Sequence, residues 1–326
     1  MLSRQRSFHL FRFAGVDVYL HWWWFLGAIY EIQGGVTRYS SIGWNIAEYL
    51  ALFVIVLMHE YGHALACRSV GGVANRIVLW PLGGVAYVDP PRRPAPILWS
   101  ILAGPLVNVA LWPVFSGVNL LARTSGWAYA NPNAHLLLRN IWYINIGLLI
   151  FNMLPVYPLD GGKILRSLLW FVMGRARSLM AAVVLGFAGA VGLIAFAVWS
   201  QSLWIGLIAA YMVFNCWGGW KHARALIQFA KLPRRDEFHC PRCKASPPIG
   251  EFWKCNHCNQ GFDTFAKQAT CPGCGTKFAE TYCMDCNQRS PFSEWTRGAP
   301  VLFHSTDSHG SNSDFAERAT APAEIR

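Results

Sequence analysis

Charge is what this chain of 326 residues has least of: 14% of its residues are Asp, Glu, Lys or Arg, and only 17 are acidic. Ordinary soluble domains carry about 25% charged and roughly 45–50% apolar residues, whereas 54% of this chain is hydrophobic. The shortage excludes a soluble domain over residues 17–220, which are dominated by long apolar stretches; residues 221–326 are polar and close to soluble composition. Residues 17–220 are also nearly free of cysteine, holding only Cys67 and Cys216 of the ten, both read as packing residues near span ends. No cleavable signal peptide is read at the start, because Arg4, Arg6 and Arg12 precede no apolar core with a small-residue cleavage site.

What is present is membrane-spanning length. A crossing helix needs about 20 mostly apolar residues, and six stretches approach this: 17–34, 46–67, 96–122, 136–155, 178–199 and 202–219. The first is the weakest, interrupted by His21 and Glu31, and its Trp22-Trp23-Trp24 run suits an interface. The net charge of +11 reads as topology. Arg4, Arg6 and Arg12, then Arg68, Arg76, Arg92 and Arg93, then Lys163, Arg166, Arg175 and Arg177, then Lys221 to Arg235 mark alternate connections as positive-inside, with both termini cytoplasmic. Nucleic acid is not the partner this charge implies.

The second stretch ends Met58-His59-Glu60-Tyr61-Gly62-His63. Histidines four apart on a helix lie about 40° apart around the axis and roughly 6 Å apart along it, so both imidazoles reach one ion. Glu60 stands beside them to take a proton from water. Ionisable groups in an apolar span are costly, so they read as functional. A catalytic zinc needs a third ligand and an open position. Asn152-Met153-Leu154-Pro155-Val156-Tyr157-Pro158-Leu159-Asp160-Gly161-Gly162 supplies Asp160 where prolines break the fourth stretch. The second and fourth stretches run in the same direction, which puts His59, His63 and Asp160 toward the same face, roughly 10 Å inside the boundary.

On these residues the chain resembles the site-2 protease family of intramembrane zinc metalloproteases. Further matches are Trp80-Pro81-Leu82-Gly83-Gly84-Val85-Ala86, Ala103-Gly104-Pro105-Leu106-Val107-Asn108 and the opening Gly15–Trp22, so the likeness covers about 14–225. It carries no PDZ insertion and no CBS pair. The resemblance implies zinc ligands His59, His63 and Asp160, with Glu60 as base and acid. It puts Asn152 near the scissile carbonyl. The Gly83-Gly84 segment reads as a β-hairpin or re-entrant loop whose edge could pair with an extended substrate. Gly104 and Pro105 read as packing, and Lys163 and Arg166 as boundary markers.

The tail holds Cys240-Pro-Arg-Cys243, Cys255-Asn-His-Cys258, Cys271-Pro-Gly-Cys274 and Cys283-Met-Asp-Cys286. In a reducing compartment four such knuckles are zinc ligands rather than disulfides. The stretch resembles a double zinc ribbon. The simplest pairing is sequential, with Cys240, Cys243, Cys255 and Cys258 on one ion and Cys271, Cys274, Cys283 and Cys286 on another; interleaved pairing stays open.

The expected architecture is therefore an α-helical membrane protein of about six transmembrane helices with a small β-hairpin, followed by a cytoplasmic double zinc ribbon. The divisions are an N-terminal segment (1–16), the protease domain (17–220), a basic linker (221–238), the ribbon (239–288) and a disordered tail (289–326). The expected cofactors are one catalytic and two structural zinc ions. The expected partners are a transmembrane protein substrate, the bilayer and a protein bound by the ribbon. Two rivals are an inactive scaffold working through the ribbons, against which ligands and base are all present, and a prenyl-protein-type zinc peptidase, against which Leu159-Asp160-Gly161 stands.

Overall fold

A computed structural model of the chain describes residues 7–35, 37–80 and 83–295. It divides into two compact units, one ending at Ala230 and one beginning at Lys231, and each is taken by itself.

In the first unit, the residues after Gly15 alternate: Val16, Val18 and Leu20 are buried while Asp17 and Tyr19 are half-buried. That period of two makes a strand rather than a helix. The weakest of the six stretches therefore splits into β2 (Val16–His21) and α1 (Trp23–Gly34), whose 12 residues span about 18 Å and cannot cross a bilayer. β1 (Ser7–Phe13) pairs antiparallel with β2, β2 parallel with β3 (Val73–Trp80), and β3 antiparallel with β4 (Gly83–Asp89). The sheet order β1-β2-β3-β4 leaves β4 at an edge. The hairpin expected around Gly83-Gly84 is thus half of a four-stranded sheet; Pro81 and Leu82 lie outside the described residues. Val16, Val18, Leu20, Ile77 and Leu79 pack this sheet against Ala64 and Cys67 of α2 (Ile42–Ser69).

Five helices among the described residues are long and apolar enough to cross a membrane. They are α2, α3 (Pro94–Thr124), α5 (Pro132–Met153), α6 (Asp160–Trp199) and α7 (Leu203–Ala230), with a single turn α4 (Trp127–Ala130) between α3 and α5. Proline opens α3 and α5, where its missing N–H costs nothing. Gly174 breaks α6 with φ 78° and ψ 172°, a conformation that a side chain would strain. This helix also holds the most apolar window of the five spans, with a mean hydropathy of 2.5. At the end of α2 away from the histidines, Glu48 accepts from Arg38 Nη1 at 2.5 Å, from the Tyr39 hydroxyl and from Asn140 Nδ2 of α5 at 2.9 Å. This clamp ties together the helix that carries the histidines and the helix that leads to Asp160. The expected linker 221–238 divides, because α7 continues through Ala230.

The second unit has two short hairpins, β5 (Trp253–Lys254) with β6 (Gly261–Phe262) and β7 (Glu280–Tyr282) with β8 (Arg289–Pro291). Trp253, Phe262, Phe265 and Trp295 form its core together with buried cysteines. Residues 289–295, expected to begin a disordered tail, instead form β8 and a 3-10 turn that buries Trp295. Residues 296–326 lie outside the described residues.

Candidate metal centres and active site

Every step of α2 from His59 to His63 faces another element, which is why a polar cluster survives in an apolar helix. His59, Glu60, His63 and Asp160 are all buried. His59 Nε2 lies 3.0 Å from Asp160 Oδ2, His63 Nε2 lies 3.0 Å from the same oxygen, and the two Nε2 atoms are 3.1 Å apart.

The tautomers follow from what stands behind each ring. Asn145 Nδ2 donates to the Asn108 carbonyl at 3.0 Å, so Asn145 Oδ1 is free to accept Asn108 Nδ2 at 2.9 Å. Asn108 Oδ1 must then accept, and the His59 Nδ1–H donates to it at 2.6 Å. The Ser100 carbonyl can only accept, and the His63 Nδ1–H donates to it at 2.9 Å. A neutral ring has then spent its one proton on Nδ1, which leaves Nε2 as a lone pair in each.

With both rings neutral, as metal ligation requires, two lone pairs and a carboxylate oxygen converge, an arrangement that repels unless a cation sits among them. Donors around a tetrahedral zinc at about 2.0–2.1 Å lie roughly 3.3 Å apart, so the three atoms fit the ion after parting by a few tenths of an ångström. The imidazole orientation by Asn108 and the Ser100 carbonyl is the usual support for histidine ligands.

Gly104 of α3 faces the rings so closely that a methyl group there would overlap both His63 and His59. It is packing, as expected, but packing against the ligands themselves. Glu60 joins His59 and His63 in a group whose ligand atoms lie within 4.8 Å of one another. Its Oε2 accepts the Ala86 N–H of β4 at 2.8 Å, and a methyl group on Gly84 would overlap its side chain. The sheet edge therefore rests directly on the glutamate. Asn152 is half-buried near the end of α5 and makes no side-chain hydrogen bond among the described residues. Beside β4, an apolar cavity of about 590 Å³ is lined by Trp23 and Tyr30 of α1, Val85 and Tyr87, and Trp204 and Tyr211 of α7.

The chain thus brings together His59, Glu60, His63 and Asp160 as expected. Sequence reading missed Ser100, Asn108 and Asn145; the quoted Ala103–Asn108 match held Asn108 without showing its role.

In the second unit all four knuckles share one backbone form. The first cysteine of each donates its N–H to a carbonyl five residues on and accepts from the residue four on. The residue after the second cysteine has positive φ: Lys244, Asn259, Gly275 and Asn287. The thiols gather as Cys240, Cys243, Cys283 and Cys286, and as Cys255, Cys258, Cys271 and Cys274. This nesting differs from the sequential pairing expected. Its cause is the shared aromatic core, which brings the two ends of the unit together. Arg234 at its start clasps Asp285 of the last knuckle with two hydrogen bonds, 2.8 and 3.1 Å. Sulfur pairs across the clusters lie 3.5–3.8 Å apart, against about 3.8 Å for four thiolates on a zinc at 2.3 Å. Asp263 is partly buried, which pushes its carboxyl up. The Gly250 and Ala266 amides and the Arg235 guanidinium outweigh this and hold it below the usual carboxylate range.

Comparison with known proteins adds the same picture. Residues 122–196, which include Asn152 and Asp160, match peptidase family M50. A zinc metalloprotease of Methanocaldococcus jannaschii is 31% identical over 209 residues, covering 64% of this chain and 59% of that protein. Stage IV sporulation protein FB of Bacillus subtilis is 34% identical over 121 residues, 36% of this chain and 38% of that protein. The chain thus spans less than two thirds of the length of either relative. The solved structure of the site-2 protease from Methanocaldococcus jannaschii is similar with a TM-score of 0.50 at 28% identity, covering 66% of this chain and 95% of that one. With five apolar helices, a converging His, His and Asp triad and these likenesses together, the chain is an integral membrane protein similar to the site-2 proteases, and its residues 122–196 match peptidase family M50.

Proposed function

We propose that the chain is an intramembrane zinc endopeptidase that hydrolyses a peptide bond in or beside a transmembrane segment of a protein substrate, toward the positive-inside face. The observation that carries this reading is the convergence of His59 Nε2, His63 Nε2 and Asp160 Oδ2, with Glu60 beside them, inside apolar helices. Zinc, when bound there, supplies the Lewis acid that polarises a carbonyl and acidifies a water.

The chain's own residues supply the rest. Asn108 and the Ser100 carbonyl hold the two imidazoles so that Nε2 of each faces inward. Glu60 keeps Oε2 on the Ala86 amide and offers Oε1 to the attacking water. It takes that proton and returns it to the leaving nitrogen. A helical substrate hides its carbonyls in backbone hydrogen bonds, so the segment must unwind first. The free edge of β4 supports an extended strand next to Glu60, and the apolar cavity between α1, β4 and α7 offers an approach from the lipid side. The Asn152 amide stands ready to donate to the scissile carbonyl. The cytoplasmic assignment of the α2–α3 connection and of the second unit rests on the alternation of Arg and Lys between connections; five crossings do not by themselves return the N-terminus to that face, as the expected six did. The thiol clusters take two structural zinc ions, and the second unit recruits or gates through a protein partner.

Metal analysis with a Glu60→Gln variant tests this. Three zinc ions per chain, one for each donor group, should remain in that variant while cleavage falls by about 10²–10⁴-fold. Replacing His59 and His63 by Ala should lower the count by one. Cleavage by Glu60→Gln at the wild-type rate would overturn the reading.

A further inference from the structure

Lys163 was expected only to mark the membrane boundary. It lies nearly one turn along α6 from Asp160, the spacing that puts two side chains on one face, and its Nζ donates to Asp160 Oδ1 at 3.1 Å. The other oxygen of the same carboxylate, Oδ2, is the one 3.0 Å from both histidine Nε2 atoms. The two oxygens of Asp160 are thus divided between an ammonium and the metal-facing cluster.

We propose that Lys163 is a positioning residue that confines Asp160 to one-oxygen ligation and so keeps a coordination position open for water. This deepens the zinc reading above and rests on it. A carboxylate can bind a metal through one oxygen or through both. With two histidines and one oxygen, zinc has three protein ligands and a fourth position for water; an aspartate using both oxygens fills that position. A carboxylate oxygen without a donor in an apolar setting costs about 1–3 kcal/mol or more, so an unheld Oδ1 would turn toward the ion. The Lys163 ammonium removes that drive. The Asp160 side chain is 7% exposed and that of Lys163 42%, so the carboxylate is gripped from the more exposed side while its other oxygen faces the buried histidines. A lysine suits this better than a neutral donor, because it also repels a second cation from the same oxygen.

The test uses the full chain loaded with cobalt, comparing wild type with Lys163→Met and Lys163→Arg. Subtracting the spectrum of a His59→Ala/His63→Ala variant isolates this ion from those on thiolates. In Lys163→Met the His59/His63-dependent cobalt should be retained, but its visible bands should shift as the second carboxylate oxygen takes the place of the water. Azide, used as a probe of the open position, should bind at least about tenfold more weakly, or about 1.4 kcal/mol. Lys163→Arg, which keeps a cationic donor, should restore both. A wild-type spectrum and azide affinity in Lys163→Met would overturn the proposal. So would loss of the metal from Lys163→Met and Lys163→Arg alike, since the lysine would then only hold the fold. If wild type itself showed no His59/His63-dependent cobalt, it is the zinc reading that would fail.

Discussion

The two units gather metal donors in contrasting ways. In the membrane unit, three donors of mixed type come from α2 and the start of α6, two of them 97 and 101 residues from the third. Each is supported from behind, the histidines by Asn108 and the Ser100 carbonyl of α3 and Asp160 by Lys163 of its own helix. In the second unit, two sets of four thiols come from four copies of one local turn. Thiolates need no orienting partner, because their charge and size suffice, and four of them close the site. Imidazole presents its lone pair only when its other nitrogen is engaged. A site that stays open for chemistry therefore depends on residues that never touch the ion, while a closed structural site depends almost wholly on its ligands.

The largest effect that would break this contrast is at a thiol. Structural zinc contributes on the order of 10 kcal/mol of folding free energy in small domains, so Cys283→Ser should unfold the second unit's outer site. Nesting makes the pattern specific: Cys240 and Cys243 should become reactive to alkylation before Cys271 and Cys274. Sequential pairing predicts the reverse order, and mass spectrometry of the alkylated peptides reads it directly.

A smaller effect is expected where support rather than ligand is removed. Asn108→Leu keeps every donor of the membrane site but leaves His59 Nδ1 without its acceptor. Metal affinity at this site should fall by about 10–100-fold, measured by chelator competition, with the thiol sites unchanged. An unchanged affinity would mean that the histidine needs no orientation, and the contrast between the two kinds of site would dissolve.

These supports are also what the sequence hid. The histidines could be read because two of them four apart inside an apolar run form a local pattern, and Asp160 because a proline-broken turn presents it at the right depth. Asn108 and Ser100 are ordinary polar residues until α3 is packed on α2, and no periodicity says which face of α3 meets the histidines. Lys163 looked like one more boundary cation, because its ion pair with Asp160 was masked by a charge pattern that already had an explanation. β1 and β2 escaped for a related reason: an alternation of Val16, Val18 and Leu20 is concealed when it runs into an apolar tryptophan-rich helix. Knuckle spacing counted the thiols correctly but held no information about partners, which the aromatic core around Trp253, Phe265 and Trp295 decides.

The smallest expected effect asks whether that nested pairing leans on anything besides zinc and the core. Arg234 and Asp285 join the start of the second unit to its last knuckle through two hydrogen bonds, with side chains 26% and 31% exposed. Paired, planar and only partly wet, they should couple more than a typical surface ion pair, yet solvent still screens them. A double-mutant cycle with Arg234→Gln and Asp285→Asn, followed by chemical denaturation of the zinc-loaded protein, should give a coupling of about 1 kcal/mol that shrinks as salt is raised. A coupling several times larger would make the clamp, rather than the thiols and the aromatic core, the element that brings the ends together. A coupling near zero at all salt concentrations would leave the nesting to zinc and Trp295 alone, which is the limit in which a closed site needs nothing beyond its ligands and the core that gathers them.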